Sequence, residues 1–132
     1  SEEIKKTATI ISNLAKNLNI FIGYTMQLTE TTTLPVNLTI NDLSESRTVK
    51  EVLDTLCLVK QIDNRTLKDY EYSLEEVSDK FYPLKEYKDP DERYYACVVD
   101  KNRAGSKPKV VFNLNLAYNR WTELGYLRLK EK

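Results

Sequence analysis

Residues 92–107, Glu-Arg-Tyr-Tyr-Ala-Cys-Val-Val-Asp-Lys-Asn-Arg-Ala-Gly-Ser-Lys, constrain the fold more than any other stretch of this chain. An apolar run enters a polar turn, and a second apolar run, residues 109–115, leaves it. β-branched and aromatic residues on both sides of a short turn specify a β-hairpin, because each strand offers the other a hydrogen-bonding edge close in sequence. Lys101 and Arg103 are one residue apart, a spacing that places both side chains on one side of an extended backbone. Held on a rigid hairpin, the two cations could reach together toward one anion outside their own fold. The plainer alternative is a hairpin tip that keeps polar residues in water.

With 132 residues the chain can build one domain with a proper core, but not two comfortable ones. An apolar content of 41% and a charged content of 30% are those of an ordinary globular protein. Lys plus Arg equals Asp plus Glu at 20 each, so no global field advertises a nucleic-acid partner, and any polyanion contact has to be local. Histidine is absent, which removes the commonest general base and the commonest zinc ligand together. No metal site is expected, and no carboxylate pair stands out for hydrolytic work. Cys57 and Cys97 each sit inside an apolar run with no CxxC spacing; they are expected to pack in the core in a reducing compartment rather than form a disulfide or bind metal. No secretory leader and no apolar run of about 18 residues is present, so the expected compartment is the cytoplasm, without a membrane partner.

Ile4, Ala8, Ile11, Ala15 and Leu18 recur at the period of an amphipathic helix that ends at Asn19. Ile20-Phe21-Ile22-Gly23-Tyr24-Thr25 follows, apolar on both faces, and is expected as a central strand of a parallel α/β sheet. Residues 28–41, rich in Thr and Asn, are expected as a long loop, and Asp42 to Leu53 as a polar turn or short helix. Thr55-Leu56-Cys57-Leu58-Val59-Lys60 is a second expected buried strand. Residues 63–91 carry many acids and tyrosines with Pro83 and Pro90, and are expected as an exposed, partly helical insertion with a stripe of Leu74, Val77 and Phe81. A last short strand is expected from Tyr118 to about Leu124. Tyr118 and Trp121 fit either core packing at a sheet edge or stacking on a base.

Taken in order, these pieces form a set. A helix enters a strand ending in Met26-Gln27-Leu28. A polar loop leads to Asn41-Asp42-Leu43-Ser44-Glu45-Ser46-Arg47 and a buried strand. Then come Val98-Val99-Asp100-Lys101-Asn102-Arg103-Ala104-Gly105 and a hairpin strand followed by Tyr118-Asn119-Arg120-Trp121. The order resembles the second half of the RecA-like motor domain of DnaB-type replicative DNA helicases, over most of the chain except roughly residues 61–91. That family shows a strand ending in Ser-Gln-Leu, an Asp-Leu-Arg-Glu-Ser-Gly loop, and a hairpin with Lys-x-Arg-x-Gly. The resemblance implies an α/β fold: a partial RecA-like, P-loop NTPase domain whose mixed sheet carries a C-terminal β-hairpin, with residues 1–132 as the C-terminal half of the motor domain.

By the same resemblance, Gln27 senses the terminal phosphate of the nucleotide. Lys101 and Arg103 reach in trans to ATP on the adjacent subunit, a contribution worth on the order of 10³ or more in turnover for such fingers. Ser44, Glu45, Ser46 and Arg47 fall on the loop that holds single-stranded DNA; here the family's arginine is Ser44 and its glycine is Arg47. Gly105 falls at the turn, where a positive φ is expected. No Gly-x-x-x-x-Gly-Lys-Ser/Thr occurs; the resemblance implies ATP and Mg²⁺ as cofactors of a parent helicase, none is expected on a fragment such as this, and the chain alone is expected to be inactive. The implied partners are single-stranded DNA and neighbouring subunits of a homo-hexamer. The alternative, from another class, is a non-catalytic RecA-like interaction module that binds a helicase subunit or loader, with residues 63–91 as its contact surface.

Overall fold

The computed structural model describes residues 2–28, 32–43, 47–103 and 105–131. Helix α1 spans Glu2–Leu18 and α2 spans Arg47–Val52; strands β1 (Thr55–Gln61), β2 (Tyr70–Ser73), β3 (Tyr82–Pro83), β4 (Glu92–Asn102), β5 (Lys109–Asn115) and β6 (Arg120–Leu129) build one open sheet. The spatial order is β1-β4-β5-β6-β2-β3, and every pairing is antiparallel. The protein is therefore a mixed α/β chain, but the parallel component expected from the helix-to-strand passage at residues 19–25 is not formed.

The expected hairpin is the centre of the molecule. β4 and β5 pair from Val98↔Lys109 to Glu92↔Asn115, and β1 covers the other edge of β4. Antiparallel neighbours close in sequence assemble at small loop-closure cost, so this ladder forms where the residues predict. β6 runs beyond Leu124 to Leu129 because β2 gives its far half a partner, Tyr70↔Leu129 through Ser73↔Tyr126. The turn between β5 and β6 uses Asn119 at φ 48, a left-handed position that asparagine tolerates. β6 passes so close to β2 that a Cβ on Gly125 would collide with the Ser73 carbonyl. Among the described residues Gly125 is the glycine with positive φ, at 157; the turn glycine Gly105 is not.

Alternation along β4 sends Ala96 and Val98 to one face of the sheet. There Ala96 joins Val111, Leu127, Ile62, Leu67, Tyr70 and Leu84 in the main core. Val98 joins Leu38, Ile40, Leu43 and Leu58 in a second cluster. Residues 63–91 form no α-helix and are not wholly exposed: a 3-10 helix at Asn64–Asp69, the one helical piece among them, leads into β2, and Leu67, Tyr70 and Leu84 are core. Leu74 and Val77 of the proposed stripe are 66% and 90% exposed. The segment from Pro35 to Asp42 folds as two 3-10 turns that bury Pro35, Val36 and Ile40, so it plugs the core instead of looping through water. Asp42 holds the second turn by accepting from the Thr39 backbone N–H at 2.9 Å and the Thr33 hydroxyl at 2.9 Å.

The N-terminal helix ends as its sequence predicts. Asn19 adopts φ 52, its N–H donates to the Lys16 carbonyl, and the Ile20 N–H donates to that of Ala15, the two bonds that close a left-handed helix terminus. α1 rests on α2, where Ala8 and Val49 are buried. Residues 20–27 belong to no strand; an isolated bridge, Leu28↔Leu43, pins their far end. Ile20 is 50% and Phe21 92% exposed. β1 is likewise an edge strand rather than a buried one: of its residues only Leu58 is fully inside.

Candidate functional site

The tip of the β4–β5 hairpin is shaped by an irregularity in the β1–β4 ladder. Leu56 faces Lys101 and Cys57 faces Val99, leaving Asp100 as an extra residue on β4. Such bulges bend a strand and re-aim its side chains. Asp100 turns to accept the Ile40 backbone N–H at 2.8 Å, which fastens the tip to the 3-10 turn beneath. The Lys50 ammonium approaches the same carboxylate at 3.5 Å.

Lys101 donates its ammonium to the Lys50 carbonyl, one of the orphan acceptors at the C-terminal end of α2, where the helix dipole also favours a cation. Partial burial lowers its pKa below the usual lysine value, with the neighbouring Arg103 and Lys50 charges adding to the effect and Asp54 and Glu51 opposing it. Arg103 lies beyond the end of β4, in the turn. Its backbone N–H donates to the Asp54 carbonyl at 2.9 Å, and its guanidinium pairs with the Asp54 carboxylate at 2.8 Å.

Two cations standing free on one side of a strand is thus not what forms. The bulge and the turn break the alternation, and each cation has a partner within its own chain. The Arg103–Asp54 pair is nevertheless a surface one, its side chains 52% and 67% exposed. Such pairs contribute about 0–1 kcal/mol. Lys50, Lys101, Arg103 and Lys107 line a shallow open depression together with Glu51 and Asp100. Four cations against the two lining acids, and against Asp54 paired with Arg103, still make a small local positive excess on a chain of zero net charge. Lys50 and Lys107 carried no signal in the sequence, because the docking of α2 and the turn onto β4 is a tertiary event.

The other expected site residues are not gathered there. Gln27 is exposed, one residue before the bridge to Leu43, and does not line the depression. Ser44, Glu45 and Ser46 lie outside the described residues, and Arg47 is the first residue of α2. Tyr118 is 74% exposed and Trp121 46%, so neither is core. Trp121 instead packs at the surface against Tyr95 and Phe112, with ring centroids at 5.2 and 6.0 Å.

The cysteines also depart from expectation. Cys57 is exposed and Cys97 only half-buried. The Cys97 thiol is pushed up to about 11, by burial first and then by Cys57 beside it. Among the described residues no group of three or more His, Cys, Asp or Glu side chains could hold a metal ion, and no helix is long and apolar enough to cross a membrane. Comparison with protein-family models, curated proteins and solved structures finds no match.

Proposed function

We propose that this chain works as part of an NTP-driven DNA helicase motor of the DnaB type, in which the β4–β5 tip meets phosphates held by a neighbouring subunit. The observation that carries the proposal is the cation excess at the tip, where Lys50, Lys101, Arg103 and Lys107 surround one open depression on the central hairpin of the sheet. A strand braced on both edges holds its end still, and fixed positive charge aimed at phosphate is what phosphoryl transfer needs from a finger of this kind. In the assembled, RecA-like motor, residues 20–25 would take their place as a further strand; they already share an apolar groove with β1.

The residues here fit no nucleotide cradle of their own, since no phosphate-loop motif is present. ATP and Mg²⁺ would be held elsewhere in the motor, and the chain alone would hydrolyse nothing. Residues 44–47 would contact single-stranded DNA in a ring of like subunits.

The test is a titration of the ¹⁵N-labelled chain with tripolyphosphate at low salt. Amide shifts should concentrate at Lys50, Lys101, Arg103 and Lys107, weaken with added salt as screening grows, and vanish in Arg103→Ala. Shifts spread evenly over surface lysines would remove the proposal, and ATP turnover by the purified chain would remove its trans character. The interaction-module alternative draws support from Leu74 and Val77, exposed on the segment after β2. It predicts a tip that ignores tripolyphosphate.

A further inference from the structure

We propose that Cys57 and Cys97 form a two-thiol site for one soft cation of the copper(I) class, on the face of the sheet opposite the main core. The β1–β4 register pairs Cys57 with Val99 and Val59 with Cys97. Directly opposed residues of an antiparallel ladder share a face, as do residues two apart on one strand. All four side chains therefore project together, with the cysteines diagonal to one another. Their neighbours Ala96 and Val98 alternate to the core side. Cys57 is also among the influences that raise the Cys97 thiol, and it is open to solvent.

Distance decides what such a pair can do. Diagonal neighbours on a ladder hold their Cα atoms about 7–8 Å apart, whereas a disulfide wants about 4.4–6.8 Å and fails beyond about 7 Å without backbone movement. A cation between the sulfurs relaxes that demand, since two metal–sulfur bonds of about 2.3 Å span up to about 4.6 Å. The donor set then selects the ion. Zinc asks for four ligands, and among the described residues no third His, Cys, Asp or Glu completes a group. Glu123 adds a negative charge to the surroundings of Cys97 without joining the donors. Val59 and Val99, the cross-strand partners, offer no oxygen. Two thiolates with nothing hard beside them favour a soft monovalent ion that is content with two ligands. Binding is ligand exchange without oxidation: two S–H bonds are lost, two metal–sulfur bonds form, and two protons leave to water.

The test is an anaerobic titration of the reduced full chain with copper(I) against a chromophoric copper(I) chelator, with oligomeric state followed by light scattering. One copper per monomer is expected. Cys57→Ser, Cys97→Ser and Cys97→Ala, each verified as folded by circular dichroism, should each weaken binding by about 100-fold or more, the advantage of a second donor held in place. Wild-type affinity in either Cys97 variant, copper-bridged dimers through Cys57, or no binding at all would overturn the proposal. A second arm uses oxidised glutathione, whose disulfide the Cys57 thiolate attacks to give a mixed disulfide and one released glutathione thiol. That adduct is the expected product. An intramolecular Cys57–Cys97 disulfide would place the two strands closer than the register argument allows, and would equally overturn it.

Discussion

Residues 92–129 and residues 2–28 are both rich in apolar side chains, yet the first group makes the centre of the sheet and the second lies largely against water. Val98 and Val111 are 3% and 0% exposed, while Ile20 and Phe21 are 50% and 92%. Composition does not separate them. β4, β5 and β6 follow one another through short turns, so each meets an antiparallel edge at once. Residues 20–27 meet a single bridge at Leu28. An apolar run becomes a strand only where a partner supplies the other half of its hydrogen bonds, which is why strand propensity follows context more closely than helix propensity does.

The comparison can be broken most severely at Gly125. Gly125→Ala drives a methyl into the Ser73 carbonyl, and because backbone on both sides must move, we expect a loss of about 3–4 kcal/mol in urea unfolding. A cost below about 1 kcal/mol would mean that the β2–β6 pairing is looser than the close approach implies.

Next comes a matched pair of truncations. Leu127→Ala, in the main core, should cost about 2–4 kcal/mol, whereas Phe21→Ala should change stability by no more than about 0.5 kcal/mol. Equal costs would show that residues 20–25 are packed as tightly as the meander.

The effect at Cys97 is confined to alkaline pH and is absent near neutrality. Its folded pKa is raised from 9.0 to about 11, so between those values the unfolded chain releases the thiol proton while the folded chain keeps it. Stability should therefore be untouched by this group below about pH 9 and decline from about pH 9 to 11. Replacing Cys97 with Ser removes that part of the slope in pH-dependent unfolding; an unchanged slope would assign it to other groups.

Legibility in the sequence followed contact range. The end of α1 at Asn19 was readable because a left-handed helix terminus is built from neighbours in the chain. The β4–β5 hairpin was readable for the same reason. Residues 63–91 read as a partly helical, exposed insertion, which fits the 3-10 helix at Asn64–Asp69 and the exposed Leu74 and Val77, but Leu67, Tyr70 and Leu84 become core once β6 lies beside β2. At the candidate site, Lys101 and Arg103 were visible, but their partners Lys50 and Asp54 and the bulge at Asp100 were not. The diagonal meeting of Cys57 and Cys97 was equally hidden, since it depends on a ladder register forty positions away in the chain.

By itself the order of residues determined the amphipathic helix, its stop, the central hairpin and a zero net charge that confines any anion contact to one spot. Only the tertiary structure decided that the sheet is antiparallel throughout, that Pro35 to Asp42 plugs the core, and which side chains surround the hairpin tip. The physical reason is that periodicity and turn chemistry act between near neighbours, whereas register, burial and ion pairing are settled by whichever distant segment arrives to occupy an open edge or face.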